Sequence, residues 1–100
     1  MKLFITHPAK QSLKDIHDYY KDVVGSQSIA DKIKTGIVER LKHLRDHPYA
    51  GQEEEYLAEL GLAHRRLVKD NYKIIYRIAE DTIYVTDIFD SRQDPSKMKA

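Results

Sequence analysis

The chain has 100 residues, 41% hydrophobic and 33% charged, with a formal net charge of +1. That composition describes a single domain, residues 1–100, with one core, and excludes a disordered chain. Without cysteine neither a disulfide framework nor a thiolate metal site is possible, and no apolar run approaches the roughly 20 residues of a membrane helix, so the cytoplasm is the expected location.

Lys2 to Thr6 reads as a short opening strand. Thr6 or His7 can cap a helix, and Pro8 is tolerated in its first turn because the missing N–H has no partner there. Ala9, Leu13, Ile16, Tyr20 and Val23 follow at alternating spacings of four and three, one apolar stripe of an amphipathic helix that ends at Gly25. Ser28 opens a second helix, with Asp31 completing a weak variant of the capping box. Its stripe is Ile33, Ile37, Leu41 and Leu44, with Ala30 on the same side. Gly36 inside this helix costs about 1 kcal/mol relative to alanine, and close approach of the first helix is the expected reason for it. His47-Pro48 ends the element, since a residue before proline is pushed out of the helical region. The short link from Gly25 to Gln27 implies an antiparallel helical hairpin.

Residues 48–62 allow two readings: a helical turn or two over Glu53 to Leu60, or a mobile acidic loop beside a sheet. Three strands follow, at roughly 64–69, 72–79 and 82–89, joined by the tight polar turns Asp70-Asn71 and Glu80-Asp81. The last of them is apolar on both parities, which marks a central strand with both faces partly covered. The element order is therefore β-α-α-β-β-β. It predicts an α+β domain, an antiparallel sheet with a helical hairpin packed on one face. Which strand the opening one joins stays open.

Charge is distributed unevenly along this frame. Residues 53–62 carry −4, residues 63–78 carry +4 and residues 79–89 carry −3. Strand alternation puts Leu67, Ile74, Tyr76 and Ile78 on one face and His64, Arg66, Lys73 and Arg77 on the other. Arg65 belongs to the same cationic hairpin, and Arg92 is expected to reach its open face from the rim. Three readings of the set stand side by side. It is a solvated cationic face paired to acids such as Asp87, a surface that binds a polyanion or an acidic segment, or a grip on phosphate oxygens for phosphodiester cleavage with His64 exchanging a proton.

Other chemistry finds little support. The histidines His7, His17, His43, His47 and His64 form no ligand motif, and His43 with His47 reads as a solvent-facing pair near a helix terminus. No phosphate loop, dinucleotide fingerprint or nucleophile elbow is present, and neither a metal nor a cofactor is implied. Among the seven tyrosines, Tyr76 has core parity, Tyr72 and Tyr84 sit in the sheet, and Tyr19 and Tyr20 are expected to seal the helix–sheet boundary with hydroxyls wet.

Taken in order, several segments resemble the RelE/ParE toxin superfamily. They are the opening strand, a helical hairpin ending near Pro48-Tyr49-Ala50-Gly51, Leu60-Gly61, Arg65-x-Leu67, Tyr72-Lys73-Ile74-Ile75-Tyr76-Arg77-Ile78 and Ile83-x-Val85-x-x-Ile88-x-Asp90-x-Arg92-Gln93-Asp94-Pro95. The resemblance implies the toxin of a type II toxin–antitoxin system, wrapped by extended and helical segments of a cognate antitoxin. An acidic antitoxin segment over the cationic face would match its charge. In the RelE-like branch, which cleaves messenger RNA on the ribosome, the basic residues would be His64, Arg66, Lys73 and Arg92. That branch carries a tyrosine or histidine near its carboxyl terminus, where this chain has Gln-Asp-Pro-Ser-Lys-Met-Lys-Ala, and it tends to have arginine where Lys73 stands. The Arg-Gln-Asp-Pro ending resembles the ParE side, which inhibits DNA gyrase by binding. A degenerate member that keeps only antitoxin binding is the third reading.

Overall fold

Thr6 sets the start of the first helix: in an extended conformation, its Oγ1 accepts the Ala9 N–H at 3.3 Å. In the computed structural model, which describes all 100 residues, β1 spans Lys2–Ile5, α1 His7–Asp18 and α2 Gln27–Asp46. Between the helices Tyr19–Val23 forms a π-helical turn, closed by the Val24 N–H on the Tyr19 carbonyl at 3.1 Å. The wider turn shifts the phase of every residue after it. Tyr20 stays packed against the core while Val23, placed on the buried stripe by its spacing, is 72% exposed. The second helix is capped by Ser26 rather than Ser28. The Ser26 Oγ accepts the Ile29 N–H, and Asp31 bonds His17 and Gln27 instead of completing a box.

The sheet follows as β2 (Gln52–Glu53), β3 (Arg65–Lys69), β4 (Tyr72–Ala79) and β5 (Thr82–Asp90), in the spatial order β1-β5-β4-β3-β2. The meander pairs antiparallel as its turns require, but β1 runs parallel to β5, so the sheet is mixed. β5, apolar on both parities, lies between β1 and β4. A bulge opposite Ile75 and Tyr76 interrupts its register, which shifts side-chain alternation along β5 by one residue. The segment with two readings resolves into β2 and a 3₁₀ turn at Glu55–Leu60, ended by Gly61 in the left-handed region at φ 69°.

On the inner face of the sheet, Ile37, Leu41 and Leu44 of α2 and Ala9 of α1 pack against Ile74, Tyr76, Ile83, Val85 and Ile88. Tyr76 is the polar anchor of this core. Its hydroxyl donates to the Pro48 carbonyl at 2.8 Å and accepts the Gly51 N–H at 2.9 Å. A Cβ on Gly51 would lie 2.6 Å from both that hydroxyl and the Arg66 carbonyl, so only glycine fits beneath it. Gly36 faces the Lys69 side chain of β3 rather than the first helix; a Cβ there would meet Lys69 Cε at 3.0 Å. No helix is long and apolar enough to cross a membrane.

Candidate functional site

The β3–β4 register sets Leu67 opposite Ile74, Arg66 opposite Ile75 and Val68 opposite Lys73. Leu67 and Ile74 belong with the inner core, which leaves the parity of His64, Arg66, Lys73, Ile75 and Arg77 on the outer face. That face is not open. Leu57 of the 3₁₀ turn and Met98 of the tail cover Ile75 and Phe89 in a second, smaller apolar cluster. Beside it the Glu54 side chain, 1% exposed, puts Oε2 3.5 Å from both Arg66 Nη1 and Lys73 Nζ. Arg66 also donates to the Glu53 carbonyl at 2.6 Å and to Gln52 Oε1 at 3.2 Å. The acid that answers these cations is therefore Glu54. Asp87 instead accepts from the Ser12 hydroxyl at 2.7 Å and from the Lys99 N–H at 3.1 Å.

The remaining candidates lie in separate surroundings. His64 is 1% exposed, and neither ring nitrogen has a hydrogen-bond partner. Burial, reinforced by the Arg77 charge, pushes its pKa below the ordinary histidine value and favours the neutral ring. Arg77 stacks its guanidinium 4.9 Å from the Tyr84 ring centroid, with no carboxylate or hydrogen-bond acceptor engaged. Tyr84 meets Phe4 edge-to-face at 5.9 Å. Arg65 is a brace. Its Nη1 donates to the Gly51 carbonyl at 2.7 Å, and its guanidinium lies 5.1 Å from the Tyr49 ring centroid.

Arg92 does not reach the outer face from the rim. Its Nε and Nη2 fork the Asp90 carboxylate at 2.9 and 2.8 Å, which holds Asp90 below the usual carboxylate range. It lines a groove on the α1 side together with Tyr20 and Tyr72. The structure thus brings Arg66 and Lys73 together through Glu54 and sets His64 beside Arg77. Arg92 belongs to neither pair. His43 and the residue that caps α2, His47, lie exposed with their rings tilted and 4.5 Å apart between centroids, and no cluster of three or more potential ligands for a metal exists. Tyr19, expected at the helix–sheet seal, is 50% exposed.

Pattern reading missed Glu54, Met98 and Ser12. Only Glu54 left a signal, as part of the acidic run just ahead of the cationic strands.

A family model described as "ParE toxin of type II toxin-antitoxin system, parDE" matches residues 3–95. A solved structure titled "Chromosomal ParDE TA system from P. aeruginosa" superimposes with a TM-score of 0.73 at 26% identity, covering 88% of this chain and 92% of that one. No curated protein matches the sequence.

Proposed function

Because the chain belongs to the ParE toxin family of type II toxin–antitoxin systems, we propose that it arrests growth by binding a topoisomerase, DNA gyrase, and that a cognate antitoxin neutralises it. A cytoplasmic site of action follows from that target.

The observation that carries the binding reading is the Glu54 carboxylate. Cleaving a phosphodiester requires cations free to grip the phosphate and an accessible group that gives or takes a proton. Arg66 and Lys73 already share an internal carboxylate at 3.5 Å, and His64 lies covered beside Arg77 with its neutral form favoured. Arg92, the fourth candidate of the ribosome-dependent endoribonuclease reading, is engaged by Asp90. Arg77, backed by Tyr84 and free of any carboxylate, is the cation of the set left to meet a partner.

Gyrase supercoiling and ribosome-dependent mRNA cleavage, assayed side by side on the purified chain, test this. Supercoiling is expected to be inhibited while mRNA stays intact. Cleaved mRNA with untouched supercoiling overturns the reading in favour of the ribosome and mRNA as targets. Neither effect, with antitoxin binding retained, points to a degenerate toxin.

A further inference from the structure

Four residues form one line across the outer face of the sheet. β4 and β5 pair Arg77 with Tyr84, and β5 and β1 pair Tyr84 with Phe4. Carrying the β3–β4 register one place past Arg65 and Tyr76 sets His64 opposite Arg77. The line therefore runs His64, Arg77, Tyr84, Phe4. It starts beside Glu54, whose N–H meets the His64 carbonyl at 2.8 Å, and ends on β1 at the edge of the sheet. Cross-strand neighbours on one face touch. The Arg77–Tyr84 stack and the Tyr84–Phe4 edge contact are those neighbours meeting.

Exposure rises along the line. His64 is sealed, Arg77 and Tyr84 are half-buried, and Phe4 is 54% exposed. The Phe4 ring adds nothing to the core, because Leu3 and Ile5, of the other parity, are the β1 residues that pack inward. Leu57 and Met98, which cover Ile75 and Phe89, leave this end of the face open. Phe4 and Tyr84 continue into a shallow depression of about 780 Å³, to which Met1 and Leu3 add apolar surface.

The charge around this apolar seat is positive and unanswered. Lys2 and Arg45 line the depression and Arg77 lies at its side, and none of the three is ion-paired to a carboxylate of the chain. The acid of the depression, Asp81, accepts from the Thr82 hydroxyl at 3.3 Å.

We propose that this line docks the topoisomerase, with an acidic segment of the target placing a carboxylate on Arg77 and an apolar side chain against Phe4 and Tyr84. The proposal rests on the gyrase reading above and names the surface it uses. Arginine stacked on tyrosine beside an open phenylalanine has the composition of an interface hot spot. The Arg77 side chain makes no hydrogen bond, so its planar fork of donors stays free for a carboxylate. A protein fits better than a nucleic acid. A phosphate backbone takes a continuous track of cations, and this one stops after Arg77, since Arg66 and Lys73 belong to Glu54.

Inhibition of gyrase supercoiling by variants of the full chain tests the surface, with antitoxin affinity and thermal unfolding measured on the same proteins. Arg77→Glu is expected to raise the half-inhibitory concentration about tenfold or more. Phe4→Ala, at an exposed edge and without a change of charge, is expected to raise it severalfold. Both keep the antitoxin affinity and thermal transition of the unmodified chain, and Lys42→Glu, an equal charge reversal on exposed α2, leaves inhibition unchanged. Arg77→Glu and Phe4→Ala proteins that inhibit like the unmodified chain overturn the surface and leave the gyrase reading standing. Antitoxin affinity falling in step with inhibition also overturns it and assigns the line to the antitoxin. Binding of the unmodified chain to duplex DNA alone, abolished by Arg77→Glu, overturns it in favour of nucleic acid. Supercoiling untouched by the unmodified chain overturns both readings.

Discussion

The two faces of the sheet come from the same alternating strands and are held by different forces. The inner face is covered by two helices that contribute Ala9, Ile37, Leu41 and Leu44, and the hydroxyl of its fully buried tyrosine, Tyr76, is satisfied twice. The outer face is covered by a 3₁₀ turn and a tail, with Leu57 and Met98 over Ile75 and Phe89 and the Glu54 carboxylate among cations. Apolar burial dominates on the first and charge pairing on the second. The cationic surface that alternation predicts is real as a parity, but Arg66 and Lys73 share one internal carboxylate and Arg77 is the member that no carboxylate engages.

The comparison breaks first at Ile37. Ile37→Asp places an unpaired carboxylate on a fully buried inner position, and loss of a cooperative thermal transition by circular dichroism is expected. A retained transition would mean that the helical stripe is not core. On the outer face the matching change is milder. Glu54→Gln keeps the acceptor that meets the Tyr56 N–H and removes the charge shared by Arg66 and Lys73, so a loss of about 1–3 kcal/mol in urea unfolding is expected. Unchanged stability would show that the 3₁₀ segment is held by Leu57 alone.

The smallest effect concerns pH. His64 titrates below its ordinary value of 6.5 when folded, so below that pH the unfolded chain takes up the proton more readily. The stability from burying a neutral ring is complete above pH 6.5 and declines as pH falls toward the folded-state value. His64→Phe is expected to flatten this acid-side decline in melting temperature, well above the range where Asp90 and the other paired carboxylates titrate. Parallel curves for the two proteins would sink the assignment.

Much of this architecture was legible in the residues. The stripes at Ile33, Ile37, Leu41 and Leu44, the turn pairs Asp70-Asn71 and Glu80-Asp81 and the double-sided apolarity of 82–89 act through local periodicity, and each element formed where that periodicity placed it. Helix phase was legible only as far as Tyr20. The π turn adds a residue to one turn and sets the Tyr20 hydroxyl 3.3 Å from that of Tyr72, and no spacing rule carries that information.

The order of the helices and of the three meander strands, and the parity of β3 and β4, follow from the sequence by itself, because they depend on neighbours within a few positions. What lies above each face depends on segments distant along the chain. Glu54 reaches Arg66 and Lys73, Met98 returns to Ile75, and β1 pairs in parallel with β5. Only the tertiary structure decided these, since charge pairing, burial and strand partnership are properties of what surrounds a residue in space.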